Sequence, residues 1–587
     1  RGALEEYKEA MSLRSSLGDR RGVNENLLQI SMLATTLGDY DSALTDLKRA
    51  LEIAQASEDR SMLWKGYFIL GRTLEEKKNF GEALEAYRKS LSIVEAMEAD
   101  YTEESDEDDF IFGGKTTLFE TTLRVMMTLA KKDPGGAYDS RALRIAESLK
   151  SSSFENTLAR INVENFSDVP NDLLIKEKSL KLSLKKLNEK LMEERSKADP
   201  NQATIRKLIE ERKTKEKSYG ILREQFAKEY PAYADLKRPR PMSAHELQKS
   251  LDPDEAIIQY TVTRGRTYVF AIDKQRFHTF SVDYPSTEME KDVDSLVRPL
   301  QKLDTQSSWD PSVAYKIYSK IFQPVEFILN GKKTAIIVPH GPLTALPFEI
   351  LVDSKSHQSK RFWSANDRPS FLVEKYAFCY EPSSYLLAWS RKIHKSKRPG
   401  WNMVAFADAL YSDSEKSREL NPGAQRLLGS LNATPYSSRG DYLKPLPGTR
   451  KEVSEVVRLV GGPTQVYFGQ EATETLFKKA DLSRYAYIHL ATHGVQLKGA
   501  GKFQQQPAIV FSIYGDRESD GFLQLGEVFG LKLNADMVVV SSCLTPTKMS
   551  SGESSGLYEL ARAFMFAGAD SVILSMWQVN DDSTAKL

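Results

Sequence analysis

The chain has 587 residues, in which 81 lysine and arginine side chains are balanced by 81 aspartates and glutamates, and it contains two cysteines. A chain of this length predicts about three or four domains. The balanced charge excludes a global field that would attract nucleic acid or a basic partner. Two distant cysteines exclude a disulfide framework, and no apolar run approaches the about 18 residues of a membrane span. We therefore predict a cytoplasmic protein without direct nucleic-acid binding or membrane association.

The first region repeats itself at a spacing of 40 residues. The pairs Ala3-Leu4, Ala43-Leu44 and Ala83-Leu84 each begin a similar amphipathic helix, and a turn plus an aromatic residue precedes the second and third. This period predicts helical hairpins that stack into an α-solenoid, whose concave side usually holds a partner. Because residue 1 falls within a repeat and the last residues follow a strand closely, we expect both ends to be cut edges of a longer protein.

A strongly charged segment follows the repeats. Its leucines recur at spacings of four, three and four residues: Leu180, Leu184, Leu187 and Leu191. A second amphipathic stretch begins after Pro200 and starts with Ile205. The pattern predicts an antiparallel helical hairpin that turns at Pro200. Glutamates are interleaved with the lysines, which favours a solvated face over a nucleic-acid patch.

From Ala256 the hydrophobic period changes to two, which predicts three strands in a meander. A helix over Ala314–Leu329 and a strand ending before His340-Gly341 follow. Beyond Trp401, strands alternate with helices, one of which spans Thr449–Leu459 with Thr449 as a candidate N-cap. Further apolar runs occupy residues 485–491, 508–513, 537–540 and 571–576. This alternation predicts an α/β domain with a mainly parallel sheet.

Two of these apolar runs stop at residues that can do chemistry. One ends at His493-Gly494 and another at Cys543. If their strands lie side by side, both side chains emerge at the carboxyl edge of the sheet, where open α/β sheets place their sites. A thiolate at Cys543 and an imidazole at His493 would suit peptide hydrolysis, with the backbone N–H groups of Gly494 and Cys543 as oxyanion donors.

Each of these residues also has a simpler explanation. A cysteine that ends a buried strand is most often a small core residue, and a histidine before glycine is often a turn residue. His340 competes for the catalytic role because it also follows an apolar run, but flanking prolines favour a structural corner there. We expect His489 to be a hydrogen-bonded core histidine and Cys379 to be a packing residue.

Four blocks in order resemble one family: Leu446–Val453 (LPGTRKEV), Tyr487–Gly494 (YIHLATHG), residues 538–543 (VVVSSC) and Gly556–Asp581. Together they are similar to the CHAT domain, a family of caspase- and separase-like peptidases often attached to tetratricopeptide repeats. The resemblance implies a repeat region over residues 1–165, a charged hairpin over 166–250, and a CHAT region over 251–587. Within that region, residues 251–400 would form the first, pseudo-caspase-like half and 401–587 the catalytic half.

The resemblance also implies the activity. It predicts a regulated cysteine endopeptidase with a Cys543–His493 dyad, no cofactor and no metal, which cuts a dedicated protein target. A regulatory protein or ribonucleoprotein would bind the repeats, in bacterial signalling or defence, with an RNA-guided CRISPR effector or a pore-forming substrate among the family's examples. The alternative is a catalytically silent interaction scaffold.

Family similarity places the substrate pocket after the cysteine helix. Trp577, Asp581 and Asp582 occupy that position. A carboxylate at the floor of the pocket would select lysine or arginine before the scissile bond. Capping of a following helix explains the aspartates equally well.

Overall fold

The structure is a computed structural model. It describes residues 2–100, 114–160, 169–195, 197, 200–231, 233–234, 241–301, 309–354, 369–393, 401–411, 422–430, 443–497, 506–541 and 556–576. These residues divide into two compact units, one within residues 1–160 and 168–243 and the other from Ala244 onward. The finer domain boundaries stay predictions.

The described part of the first unit consists of helices. They are α1 (Gly2–Ser16), α2 (Arg20–Leu37), α3 (Tyr40–Ala56), α4 (Arg60–Glu76), α5 (Phe80–Asp100), α6 (Gly114–Lys132), α7 (Tyr138–Arg160), α8 (Asn171–Arg195) and α9 (Gln202–Glu229). The period of about 40 residues is confirmed: α1, α3 and α5 begin at Gly2, Tyr40 and Phe80, and they alternate with α2 and α4.

Small residues and helix caps account for this regularity. Ala43 and Ala83 are fully buried, so their lack of a larger side chain allows neighbouring helices to approach closely. The side chains of Asp19, Asp39 and Asp59 each accept a hydrogen bond from a backbone N–H in the first turn of the next helix. Such caps satisfy donors that would otherwise lack an intrahelical partner. The capping aspartates recur every 20 residues and mark the starts of α2, α3 and α4.

The predicted hairpin is confirmed as α8 and α9, whose inner faces share an apolar cluster of Leu191, Ile205 and Ile209. Its charged surface is not wholly solvated. Arg60 of α4 donates to both carboxylate oxygens of Glu216 in α9, at 3.0 and 3.2 Å. A two-pronged contact of this kind orients the partners as well as attracting them. The hairpin therefore packs against the repeats within the first unit.

The second unit begins with a mixed five-stranded sheet in the order β3-β2-β1-β4-β5. Its strands are β1 (Glu255–Val262), β2 (Thr267–Asp273), β3 (Phe277–Val282), β4 (Thr334–Val338) and β5 (Ala377–Tyr380). The meander β1-β2-β3 is antiparallel, as predicted, whereas β4 and β5 run parallel to β1. The helices around it are α10 (Ala244–Ser250), α11 (Ser286–Gln301), α12 (Pro311–Ile317) and α13 (Ser384–Ile393).

The helix predicted over Ala314–Leu329 is not continuous. After α12 the chain forms a π-helical turn over Tyr318–Phe322 and then a 3₁₀ helix over Gln323–Leu329. Pro324 lies at the junction, and proline lacks the N–H that an α-helix would need there. The prediction was therefore right about helical structure but wrong about its type.

A second five-stranded sheet, in the order β13-β12-β8-β6-β7, is parallel throughout. Its strands are β6 (Trp401–Ala409), β7 (Thr464–Gly469), β8 (Tyr485–Ala491), β12 (Met537–Val540) and β13 (Val572–Leu574). The accompanying helices are α14 (Pro422–Ser430), α15 (Gly448–Val460), α16 (Glu474–Lys479), α17 (Leu525–Phe529) and α18 (Gly556–Ala567). β7 lies on one side of β6, and the next strand of the sheet, β8, lies on the other side. This reversal of strand order makes the boundary between β6 and β8 a topological switch point.

The strand predicted over residues 508–513 does not join this parallel sheet. It forms β10 (Gln506–Val510), which pairs antiparallel with β9 (His493–Leu497) and β11 (Phe522–Gln524) in a separate three-stranded sheet. The apolar pattern could predict the strand but not its partners, because pairing depends on the bend that separates β8 from β9. Within the described residues, no helix combines the length and hydropathy needed to cross a bilayer.

Gly71 and Gly220 form a matched pair for testing the packing of the helical unit. A Cβ at Gly71 in α4 would lie 2.5 Å from the buried ring of Tyr87, whereas a Cβ at Gly220 in α9 would meet no atom within 4 Å. We expect Gly71→Ala to lower the free energy of unfolding by about 1–3 kcal/mol through overpacking. Gly220→Ala should raise it by up to about 1 kcal/mol through helix propensity. Urea unfolding followed by circular dichroism measures the free energy of unfolding of both variants. If Gly71→Ala were stabilised as well as Gly220→Ala, the predicted clash with Tyr87 would be wrong.

Glu381 predicts a dependence of stability on pH. Desolvation raises the pKa of this carboxyl group from 4.5 to about 8, against the opposing effect of Arg391 and Arg562. Between these values the folded chain retains a proton that the unfolded chain has lost, so stability falls as the pH rises, by up to about 1.4 kcal/mol per pH unit. Glu381→Gln cannot ionise and should be more stable than wild type at pH 8 but not at pH 4. Thermal unfolding of both proteins between pH 4 and pH 8 measures this difference. If stability depended on pH equally in wild type and Glu381→Gln, the assignment of the dependence to Glu381 would be wrong.

Candidate active site

His493 lies where the chain leaves the parallel sheet. β8 ends at Ala491, the chain bends at Thr492, and β9 begins at His493 in the antiparallel sheet. The histidine is therefore at the carboxyl edge of β8, beside the switch point between β6 and β8. The sequence predicted that His493 ends the strand, whereas β8 ends two residues earlier and His493 begins a further strand.

A backbone carbonyl determines which nitrogen of His493 carries the proton. Nε2 lies 2.7 Å from the carbonyl oxygen of Lys444. Because a carbonyl oxygen can only accept, Nε2 must donate, and in the neutral imidazole Nδ1 is then the basic nitrogen.

Tyr411 contacts His493 in two ways. The two rings lie 4.7 Å apart between centroids with an interplanar angle of 58°. The Tyr411 hydroxyl accepts a hydrogen bond from the backbone N–H of His493 at 3.1 Å and donates one to the carbonyl of Val510 at 3.3 Å. His493, the first residue of β9, faces Val510, the last residue of β10. The Tyr411 hydroxyl therefore bridges the backbones of the two strands at this end of the sheet.

Neither Lys444 nor Tyr411 was predicted from the sequence. Lys444 acts through its backbone, so the residue type gives no signal. Tyr411 follows β6 directly, and a polar aromatic residue just after a strand that borders the switch point would have been the available clue.

The block Leu446–Val453 connects the start of α15 to the end of β6. Thr449 donates through Oγ1 to the carbonyl of Leu446 at 2.7 Å and accepts from the backbone N–H of Asp408 at 2.9 Å. Thr449 is therefore not the N-cap of α15, which begins at Gly448, and instead ties the helix to the end of β6. Asp408 has φ of 49°, which non-glycine residues rarely adopt, and it accepts from Arg450 at 2.8 Å.

The strand leading to Cys543 is the neighbour of β8. Each residue of β12 pairs with the β8 residue 50 positions earlier, from Met537 with Tyr487 to Val540 with Leu490. The N–H of Ser541 then donates to the carbonyl of Leu490 at 2.9 Å. The prediction that these two strands lie side by side is confirmed, whereas Cys543 itself lies outside the described residues.

The remaining predicted site residues are mostly outside the described part of the chain. Gly494 is half-buried on β9, where it pairs with Ile509 of β10. Its role as an oxyanion donor stays a prediction, as does that of the Cys543 amide. Trp577, Asp581 and Asp582 lie outside the described residues. In the described part of the chain, no three potential metal ligands gather into a group that could hold an ion.

The competing histidines have structural partners. His340 follows β4 in the first sheet, and its Nδ1 accepts a hydrogen bond from the backbone N–H of Val262 at 3.2 Å. His489 is buried on β8, with Nε2 2.7 Å from Oε1 of the buried Glu452 in α15. The expectation that His489 is a hydrogen-bonded core residue is confirmed.

Cys379 lies on β5 at the edge of the first sheet, and it is exposed. Its assignment as a packing residue was wrong, because the sequence could not show that its strand would be an edge. Partial desolvation and the nearby Glu381 raise the pKa of its thiol. A raised pKa disfavours the thiolate that a nucleophile needs.

His489 on β8 and His493 at the start of β9 should differ in their effect on stability. Removing the buried His489 leaves Glu452 without its partner, so we expect His489→Ala to lower the free energy of unfolding by about 3 kcal/mol. His493→Ala removes a half-buried side chain at the edge and should cost about 1 kcal/mol. Urea unfolding of the two variants measures the difference, and equal losses would contradict the assignment of His489 to the core.

Comparison with known families matches residues 312–587 to the CHAT domain and residues 23–96 to a tetratricopeptide repeat. No curated protein sequence matches the chain.

Among solved structures, two of the Saccharomyces cerevisiae separase–securin complex are similar at 10% sequence identity. The structure at 2.6 Å covers 97% of this chain and 47% of that chain with a TM-score of 0.33. The structure at 3.0 Å covers 99% and 45% with a TM-score of 0.32. The chain spans about half the length of the separase chains that it matches. The protein thus contains tetratricopeptide repeats followed by a CHAT domain.

Proposed function

We propose that the protein is a regulated cysteine endopeptidase in which Cys543 is the nucleophile and His493 the general base and acid. The observation that carries the proposal is the pairing of β8 with β12. Paired residues are 50 positions apart, the same separation as between His493 and Cys543. Because β8 and β12 end side by side, the segments that carry His493 and Cys543 begin at neighbouring strand ends, which supports a contact between the imidazole and the sulfur. The CHAT match over residues 312–587 supports the same activity.

The acylation step uses the proton arrangement of His493. Nδ1 takes the proton from Sγ of Cys543, and the sulfur forms a bond to the carbonyl carbon of the scissile peptide. The carbonyl oxygen becomes an oxyanion, for which the N–H groups of Gly494 and Cys543 are the proposed donors. When the tetrahedral intermediate collapses, the C–N bond breaks, and the imidazolium gives its proton to the departing amine.

Deacylation reverses the roles with water. Nδ1 removes a proton from a water molecule, whose oxygen attacks the thioester carbon. The C–S bond breaks, the proton returns to Sγ, and the carboxylic acid product leaves. Throughout, the carbonyl of Lys444 accepts from Nε2, so it favours the imidazolium that forms in both steps.

Substrate and partner are proposed from the family resemblance. Trp577, Asp581 and Asp582 would contribute to the pocket before the scissile bond and favour lysine or arginine there. The tetratricopeptide repeats, which match over residues 23–96, would bind a regulatory protein or ribonucleoprotein, since such repeats commonly bind peptide segments. A role in bacterial signalling or defence follows only from that resemblance.

A labelled electrophilic peptide with lysine or arginine next to the reactive group tests the nucleophile. We expect wild type and Cys379→Ala to be labelled, and Cys543→Ala not to be labelled. His493→Ala should lower the labelling rate by about 10²–10⁴-fold, because it loses the general base. Mass spectrometry of the labelled peptide identifies the modified residue.

The same variants distinguish the peptidase from a silent scaffold. Equal labelling of wild type and Cys543→Ala would reject Cys543 as the nucleophile. Cleavage-site profiling of a lysate with wild type and Cys543→Ala, with and without candidate activators, then tests the reaction. A lack of new protein termini under every condition would favour the interaction scaffold, and termini after residues other than lysine or arginine would refute the proposed preference.

A further inference from the structure

We propose that Tyr411 is the positioning residue of the site: it holds the backbone and the imidazole of His493 in the orientation that general base catalysis requires. The inference rests on the proposed function for its catalytic consequence. Its structural part, that Tyr411 orients His493, rests only on described contacts.

Tyr411 constrains His493 at two places, the backbone and the ring. Its hydroxyl accepts from the His493 N–H, and its ring packs on the imidazole at 4.7 Å between centroids. Nε2 of the same imidazole is held by the carbonyl of Lys444 at 2.7 Å. The imidazole thus contacts a ring and a carbonyl that come from separate segments, and these contacts together limit rotation of the side chain.

Tyr411 is itself held in place. It is 5% exposed. The preceding residue, Leu410, donates through its N–H to Oγ of Ser512 at 2.8 Å and accepts at its carbonyl from the N–H of Ile513 at 3.2 Å. The Ser512 hydroxyl in turn donates to the carbonyl of Gly469 at 2.6 Å. These bonds tie the segment after β6 to the ends of β7 and β10, so Tyr411 is supported by three strands.

The contacts of Tyr411 indicate how it would contribute to catalysis. Tyr411 touches His493 and Val510, and neither contact requires substrate. Loss of the contact should therefore lower the rate of the chemical step and leave substrate binding nearly unchanged. A residue that only stabilised the fold would instead change the unfolding transition without changing turnover per folded molecule.

Tyr485 provides the matched control. It is similarly buried, at 6% exposure, and its hydroxyl donates to Oε1 of Gln465 at 2.8 Å. It begins β8, whereas His493 lies just beyond the other end of that strand. Tyr485→Phe removes a hydrogen-bonded hydroxyl from the same sheet without touching the contacts of His493.

The test measures kcat and KM for full-length Tyr411→Phe, Tyr411→Leu and Tyr485→Phe, with thermal unfolding to confirm folding. The substrate is a fluorogenic peptide with lysine or arginine before the scissile bond. We expect kcat to fall about 10-fold in Tyr411→Phe, which loses the hydroxyl, and about 100-fold in Tyr411→Leu, which also loses the ring. KM should change less than twofold, and Tyr485→Phe should retain wild-type kcat. A rise in KM alone, or equal kcat in Tyr411→Phe and Tyr485→Phe, would overturn the positioning role and leave the peptidase proposal standing.

A second measurement does not depend on turnover. Nitrogen NMR of ¹⁵N-histidine-labelled protein, with the His493 signals assigned through His493→Gln, reports which ring nitrogen carries the proton. We expect one Nε2-protonated form in wild type and Tyr485→Phe, and a mixture in Tyr411→Leu. If wild type shows no Cys543-dependent turnover but Tyr411→Leu gives the mixture, the peptidase proposal fails and the positioning of His493 stands. An unchanged His493 signal in Tyr411→Leu would overturn the positioning role whether or not the protein is active.

Discussion

The bend at Thr492 is the constraint on which the candidate site depends. β8 is an interior strand of a parallel sheet, and the chain must leave that sheet at its carboxyl edge to form β9 in a different sheet. Backbone groups at such a departure lose their ladder partners, and buried polar groups need replacements. The Tyr411 hydroxyl supplies a partner for both the N–H of His493 and the carbonyl of Val510. The contact that completes the fold at the bend therefore also orients the histidine.

This coupling explains why the surroundings of His493 are built from strand ends. Tyr411 follows β6, Ser512 follows β10, and Gly469 ends β7. Hydrogen bonds connect these ends through Leu410 and Ser512, so a displacement of one strand end would be felt by the others. A site that depends on a proton transfer over hydrogen-bond distances needs supports of this rigidity, because small misplacements have large effects on rate.

The sequence predicted the elements well and their connections less well. The 40-residue period and the apolar strands are local patterns, so residues such as Ala43 and Ala83, or the run before His493, identify them directly. The parallel pairing of β8 with β12 could be predicted because strands that are buried on both faces need neighbouring strands. In contrast, His493 meets Lys444 from 49 residues away and Tyr411 from 82 residues away. A contact to a backbone carbonyl leaves no trace in residue type, and the bend that moved residues 506–510 into another sheet depends on tertiary pairing.

The two His-Gly pairs show how the same dipeptide can serve different ends. At His340 the backbone N–H of Val262 donates to Nδ1, so that nitrogen acts as an acceptor within the fold and ties the end of β4 to the end of β1. At His493 the backbone supplies a carbonyl to Nε2 instead, which places the proton on Nε2 and leaves Nδ1 as the basic nitrogen. Both histidines lie beyond the carboxyl end of a parallel strand, so position alone does not separate them. The difference lies in whether the backbone presents a donor or an acceptor to the ring. In addition, His493 follows β8, the strand that pairs with β12, which leads to Cys543. A general base requires its accepting nitrogen to be available for a proton from outside the fold, and the donor that His340 receives from Val262 is incompatible with that role while the bond persists.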